Sequence, residues 1–257
     1  MMKLSEQKKK KKVLFVILFI VSLVVFLVSA VLLVLRFFSF KEDSYEQYKK
    51  PVAPTQTEED LPENPIDFEA LWAINKDVKA WITLPGTTID HPIMQSGEQE
   101  EDFYLDHDLN QKYLFDGSVY IQKMNKADFT DPVTVIYGHD LANGKMFTPL
   151  RKFRKPDFFQ QQDTIYVYTP GHVLTYRLYT AFVYDDRHIL YSFNFNQDDE
   201  YQQFINETLA PKSMVRNVRE GVTVTTEDKM IILSTCTNRA SERYLVGGVL
   251  IDDRRTK

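Results

Sequence analysis

The chain has 257 residues, enough for one or two domains, and a formal net charge of −5. Seven of its 31 basic residues fall within the first 40 positions, against one of its 36 acidic residues, so the remainder is distinctly acidic and a poor match for nucleic-acid phosphates. The single cysteine, Cys236, excludes an intramolecular disulfide, and a packed core must hold the fold.

The N-terminus opens with five consecutive lysines at 8–12, followed by residues 13–35, which carry no charge. At ~1.5 Å per residue a helix over this run is roughly 35 Å long, enough to cross a bilayer. A cleaved signal and a retained anchor compete here. Val28, Ser29 and Ala30 offer small residues for cleavage, but the apolar run continues beyond them to Leu35, which favours the anchor. With the lysines kept inside, residues 1–12 form a cytoplasmic tail, 13–35 a single transmembrane anchor, and the rest lies outside the cell. Residues 36–62, charged and punctuated by Pro51, Pro54 and Pro62, read as an extended linker. The folded domain is expected over 63–257.

Ile66, Phe68, Leu71, Trp72 and Ile74 follow helical spacing behind a capping Asp67. AWITLPGTTIDHPIMQ reads as two short strands around Pro85-Gly86, and EDFYLDHDL as a short helix or turn. GSVYIQ and PVTVIYGHD read as strands, and MFTPLRKF as a short helix. TIYVYTPGHVLTYRLYTAFVYDD is the clearest β pattern, a hairpin turning at Pro170-Gly171. Residues 188–220 lack strand pattern and hold an amphipathic helix near DDEYQQFINETLA. KMIILSTCT and RYLVGGVLIDD supply two further strands. The sum is a mainly antiparallel barrel or sandwich.

An unpaired thiol outside the cell is an intermolecular link, an inert buried side chain or a nucleophile. A nucleophile needs a base or a positive charge nearby. Of five histidines, His139 is singled out because it ends the apolar run 133–137 after Gly138, where a strand delivers a side chain to a cleft. Arg243 opens the strand after Cys236, and an antiparallel pair would put both side chains at one barrel rim, the arginine facing an oxyanion or thiolate. A salt bridge from Arg243 to Glu242 or Asp252 is the structural alternative; Arg187 and Arg239 are weaker candidates. Neither zinc-ligand spacing nor a glycine-rich phosphate loop is present, so no metal or cofactor is expected.

These residues carry a resemblance. Leu233-Ser234-Thr235-Cys236 resembles the Leu-x-Thr-Cys signature of sortases, the cysteine transpeptidases of Gram-positive surfaces, with His139 and Arg243 as matching partners. IDFEALWAINKDVKAWITLPGTTIDHPIMQ, FYLDHDL, YGHD before MFTPL, and the helix-containing insertion are similar to class B members, so that the resemblance spans about 63–253. It implies a closed eight-stranded β-barrel with N-terminal helices and an insertion before the cysteine strand. It further implies Cys236 as nucleophile, His139 as acid–base, Arg243 as oxyanion partner, and a groove lined by Tyr137, Ser234, Thr235 and Leu105. The implied substrates are surface proteins bearing a C-terminal sorting motif, or pilins. The implied acceptor is a peptidoglycan cross-bridge amine or a pilin lysine. A thiol hydrolase with the same residues and a non-enzymatic surface-binding module are the alternatives. Ile232 replaces a frequent threonine, Asp140 stands where class B commonly has Asn, and the link from Cys236 to Arg243 is short. The chain ends in Asp-Asp-Arg-Arg-Thr-Lys without a second apolar span, which reads against class C.

Overall fold

The structure is a computed structural model describing residues 2–38, 45–51, 61–237, 239 and 241–257. It falls into two compact units, Met1–Gln47 and Tyr48–Lys257. The first contains helix α1 (Met2–Phe38), whose stretch Lys11–Leu33 is long and apolar enough to cross a membrane.

In the second unit, α2 (Phe68–Ile74) starts where Asp67 accepts a hydrogen bond from Ala70 N at 3.1 Å, and buries Phe68 and Leu71. Nine strands follow among the described residues: β1 (Val78–Thr83), β2 (Asp90–Met94), β3 (Val119–Ile121), β4 (Val133–Tyr137), β5 (Thr164–Thr169), β6 (His172–Asp185), β7 (Arg216–Val218), β8 (Met230–Cys236) and β9 (Glu242–Arg255). Their order is β5-β1-β2-β3-β4-β8-β9-β6, and β5–β6 pairing closes these eight into a barrel, with β7 added alongside β6. The expected closed barrel is therefore present. β2–β3 and β4–β8 are parallel, the rest antiparallel. A 3₁₀ turn (Phe103–Leu105) precedes β3, and a 3₁₀ helix (Thr148–Arg154) follows β4 and leads into α3 (Pro156–Gln161). Between β6 and β8 lie α4 (Ile189–Ser192), α5 (Asp198–Leu209) and β7.

Side-chain alternation sorts the core in two. Ile231, Leu233, Ile136, Leu178 and Val246 point into the barrel with Ile82 and Val167. Met230, Ile232, Val133, Val135 and Leu245 point outward, where Tyr201, Phe204 and Ile205 of α5 cover them. β8 is thus buried on both faces, which explains its continuous apolar run.

Two expectations need correction. Part of the 36–62 segment lies outside the described residues (39–44 and 52–60), but 48–51 is not free linker. Lys50 N bonds Pro65 O and Asp67 N bonds Tyr48 O, both at 2.7 Å, while Lys49 pairs with Asp90 and Lys50 with Asp67. The reason is electrostatic and local: two lysines meet two carboxylates beside a short bridge between Lys49 and Ile66. The insertion also contains β7, which a strand-free reading of 188–220 missed. Its three residues are exposed or half-buried, and it forms only because the long β6 extends past β5.

Candidate active site

Cys236 is the last residue of β8 and faces Arg243, near the start of β9, in register. Opposed residues of an antiparallel pair project to the same face with Cβ atoms roughly 5 Å apart. Here that face is the outer one shared with Ile232 and Leu245, so thiol and guanidinium stand together outside the barrel wall. Cys236 is exposed and Arg243 half-buried. Among the described contacts, Glu242 pairs with Arg239 at 2.9 Å, and Arg243 Nη1 donates to the Glu242 main-chain oxygen at 3.1 Å. Asn238 and Ala240, in the short connection, lie outside the described residues.

β4 runs parallel beside β8, with Tyr137 opposite Ser234 and Gly138 N bonded to Ser234 O at 3.2 Å. His139 therefore leaves the sheet next to the cysteine strand. Gly138 is required there because a Cβ would sit 2.7 Å from the Phe147 ring packed across it. Phe147 N in turn bonds His139 O at 2.9 Å, closing the 140–146 loop. The imidazole Nε2 lies 2.7 Å from the main-chain oxygen of Leu105. Asp140, adjacent to His139, turns to Arg151 Nε at 2.7 Å, its side chain 4 % exposed.

Together these residues line a groove of about 290 Å³ that contains His139, Cys236, Arg243, Tyr137, Ser234 and Leu105. Thr235 borders it too, but its side chain alternates to the barrel interior opposite Tyr244 and is 2 % exposed. The hydroxyl is therefore withdrawn from the groove, and only main chain at Thr235 is available to a substrate. The end of β6 and the first turn of the insertion, 185–189, form the opposite wall. That wall is braced by Arg187 on Asp185 (2.8 Å) and by Tyr184 OH on Glu207 of α5 (2.7 Å).

Two groove residues escaped the sequence. Tyr120 of β3 stacks on Tyr137 with ring centroids 5.4 Å apart, and burial holds both phenols far above their ordinary pKa, so both hydroxyls remain donors. His188 lies against Tyr191 and 2.7 Å from Gln122 Oε1, and burial lowers its pKa, favouring a neutral ring that donates to the amide. Only the pairing of Tyr120 with Tyr137 across β3–β4 would have found the first. The remaining histidines serve elsewhere. His91 is half-buried near the start of β2, and desolvation pushes its pKa down to about 4; His107 stacks on Phe103; His172 pairs with Asp253 at 2.6 Å. No group of three or more His, Cys, Asp or Glu able to hold a metal occurs among the described residues.

A barrel presenting a solvent-accessible thiol, an imidazole and a guanidinium in one groove has the groups that a cysteine acyl-transfer enzyme needs. Comparison with known proteins narrows the class. The Sortase domain family model matches residues 82–251. Sortase B of Staphylococcus aureus is 30 % identical over 175 residues, 68 % of this chain and 69 % of that protein. The Clostridium perfringens sortase B structure superposes with a TM-score of 0.65 at 27 % identity, covering 72 % of this chain and 100 % of that one. A Staphylococcus aureus sortase B–substrate complex gives 0.63 at 27 %, covering 76 % and 87 %. The chain belongs to the sortase family of cysteine transpeptidases, in its class B.

Proposed function

We propose that this transpeptidase is held to the cell membrane by α1 and joins surface proteins to peptidoglycan. It cleaves a sorting motif near the C-terminus of each substrate protein and passes the new carboxyl end to a cross-bridge amine. The observation that carries the reading is the register Cys236↔Arg243 in a groove shared with His139. The Cys236 thiolate attacks the scissile carbonyl, and the carbonyl electrons move to an oxyanion facing the Arg243 guanidinium. As the C–N bond breaks, His139 gives its proton to the leaving amine and a thioester remains on Cys236. The acceptor amine then attacks the thioester, His139 takes the proton it sheds, and the C–S bond breaks to return the thiolate. Tyr137, Ser234, the Leu105 side chain and the Thr235 main chain border the path of the sorting peptide. The lysines at 8–12 and the apolar helix support an arrangement with the tail cytoplasmic and the barrel outside.

The test is a peptide-library assay on the detergent-solubilised full chain with a glycine-based amine acceptor, products being read by mass spectrometry. Cys236→Ala and His139→Ala should each reduce ligation by about 1,000-fold or more while the melting temperature holds. Full ligation by Cys236→Ala would end the reading. Release of acid alone, unaffected by added amine, would make the enzyme a hydrolase instead.

A further inference from the structure

We propose that residues 103–118 are the positioning element of His139, and that they do through a main-chain carbonyl what a carboxylate does in a triad. The proposal rests on the acid–base role given to His139 above. Asp140, the nearest carboxylate in sequence, is committed to Arg151. The group at the ring is the Leu105 carbonyl, 2.7 Å from Nε2. A carbonyl can only accept, so Nε2 carries a hydrogen in the neutral and the cationic ring alike. The exchangeable proton is then the one on Nδ1, and Nδ1 is the nitrogen that serves the leaving and entering amines.

The carbonyl is itself fixed. Leu105 N bonds Asp102 O at 2.8 Å, and Ser118 N bonds Tyr104 O at 2.9 Å. Gly117 has φ +59°, and a Cβ there would lie 2.1 Å from the Leu105 oxygen, so only glycine lets the chain pass beneath it. Two more contacts join the segment to the histidine and its loop. The Phe115 ring lies nearly parallel to the imidazole, 11° apart with centroids 6.3 Å distant. Asn143 Nδ2 donates to Asp116 Oδ2 at 2.8 Å. Phe115 is 70 % exposed, so it contributes little to the core, and it lies beside the imidazole.

The experiment compares full-chain variants in detergent, with sorting peptide and a glycine amine as substrates. Phe115→Ala should melt with the wild type yet lose about tenfold or more in kcat with KM for the peptide unchanged, as expected for a misplaced proton donor. Phe115→Tyr should restore the rate. Gly117→Ala should lose more, and its melting temperature reports whether the fold survives; the Phe115 variants decide the question if it does not. In ¹⁵N-histidine-labelled Cys236→Ala protein, the neutral His139 ring should carry its hydrogen on Nε2. A hydrogen on Nδ1, wild-type kcat in Phe115→Ala, or a rise in KM alone would overturn the proposal. Because wild-type ligation that disappears in His139→Ala is measured in the same series, failure of the parent reading is distinguishable from failure of this one.

Discussion

Arg243 and Cys236 occupy neighbouring strands in register, so neither needs a long flexible reach to meet the other. An arginine placed this way offers a planar fork, and a lysine would offer a point charge on a mobile stem. Arg243→Ala should lower kcat/KM for ligation by about 100- to 1,000-fold. Arg243→Lys should recover only part of that loss, with unchanged melting temperature in both; steady-state kinetics with urea midpoints will show it. The three residues proposed to carry the chemistry were legible because each punctuates a strand: a thiol at the end of an apolar run, a histidine after Tyr137-Gly138, an arginine opening the last strand. Tyr120 and His188 were not, since their nearness to the thiol arises from β3–β4 pairing and from the fold of the insertion. Thr235 shows the opposite case, a signature residue whose side chain the strand period turns inward.

At the scale of elements, β8 depends on cover from both sides. Phe204 of α5, fully buried, packs in the aromatic cluster with Phe193, Phe195 and Tyr201 over the outer face of the sheet. Phe204→Ala should cost about 3–5 kcal/mol, seen as a lowered urea midpoint. It should also weaken peptide binding, because Glu207 of the same helix holds Tyr184 at the groove wall. Strands built from alternating or β-branched residues could be placed from sequence. The parallel neighbours β2–β3 and β4–β8 could not, because local pattern does not name a partner. β7 was illegible for a related reason: Arg216, Asn217 and Val218 gain strand form only from the partner β6 supplies.

For the whole molecule, the compact unit begins at Tyr48 rather than near Glu63. A chain starting at residue 45 should therefore melt several degrees above one starting at 63, which loses the Lys49–Asp90 pair and the bonds to 65–67. Equal melting temperatures would show that this docking adds nothing. Acid stability is set partly by His91. Its folded pKa is depressed to about 4, so between the ordinary histidine value and that point the unfolded chain takes up the proton first. Stability contributed by the neutral, largely desolvated ring is complete above the unfolded pKa and is lost as pH falls, by about 3 kcal/mol near pH 4. Urea titrations at pH 7 and pH 4.5, followed by Trp81 fluorescence, should show a larger drop for the wild type than for His91→Phe.

The strand order has a consequence for how the enzyme comes into being. β8 and β9 are made after every other strand, yet they sit between β4 and β6 in the sheet. Until they insert, the barrel is an open sheet with two unsatisfied edges, and pairings this distant along the chain form slowly. A partly made chain thus has neither the thiol nor the guanidinium, and its imidazole stands at an empty edge. With the roles proposed for Cys236 and Arg243, the last strands are at once the closure of the wall and the arrival of the chemistry, and a molecule that has not finished folding should neither cut nor join.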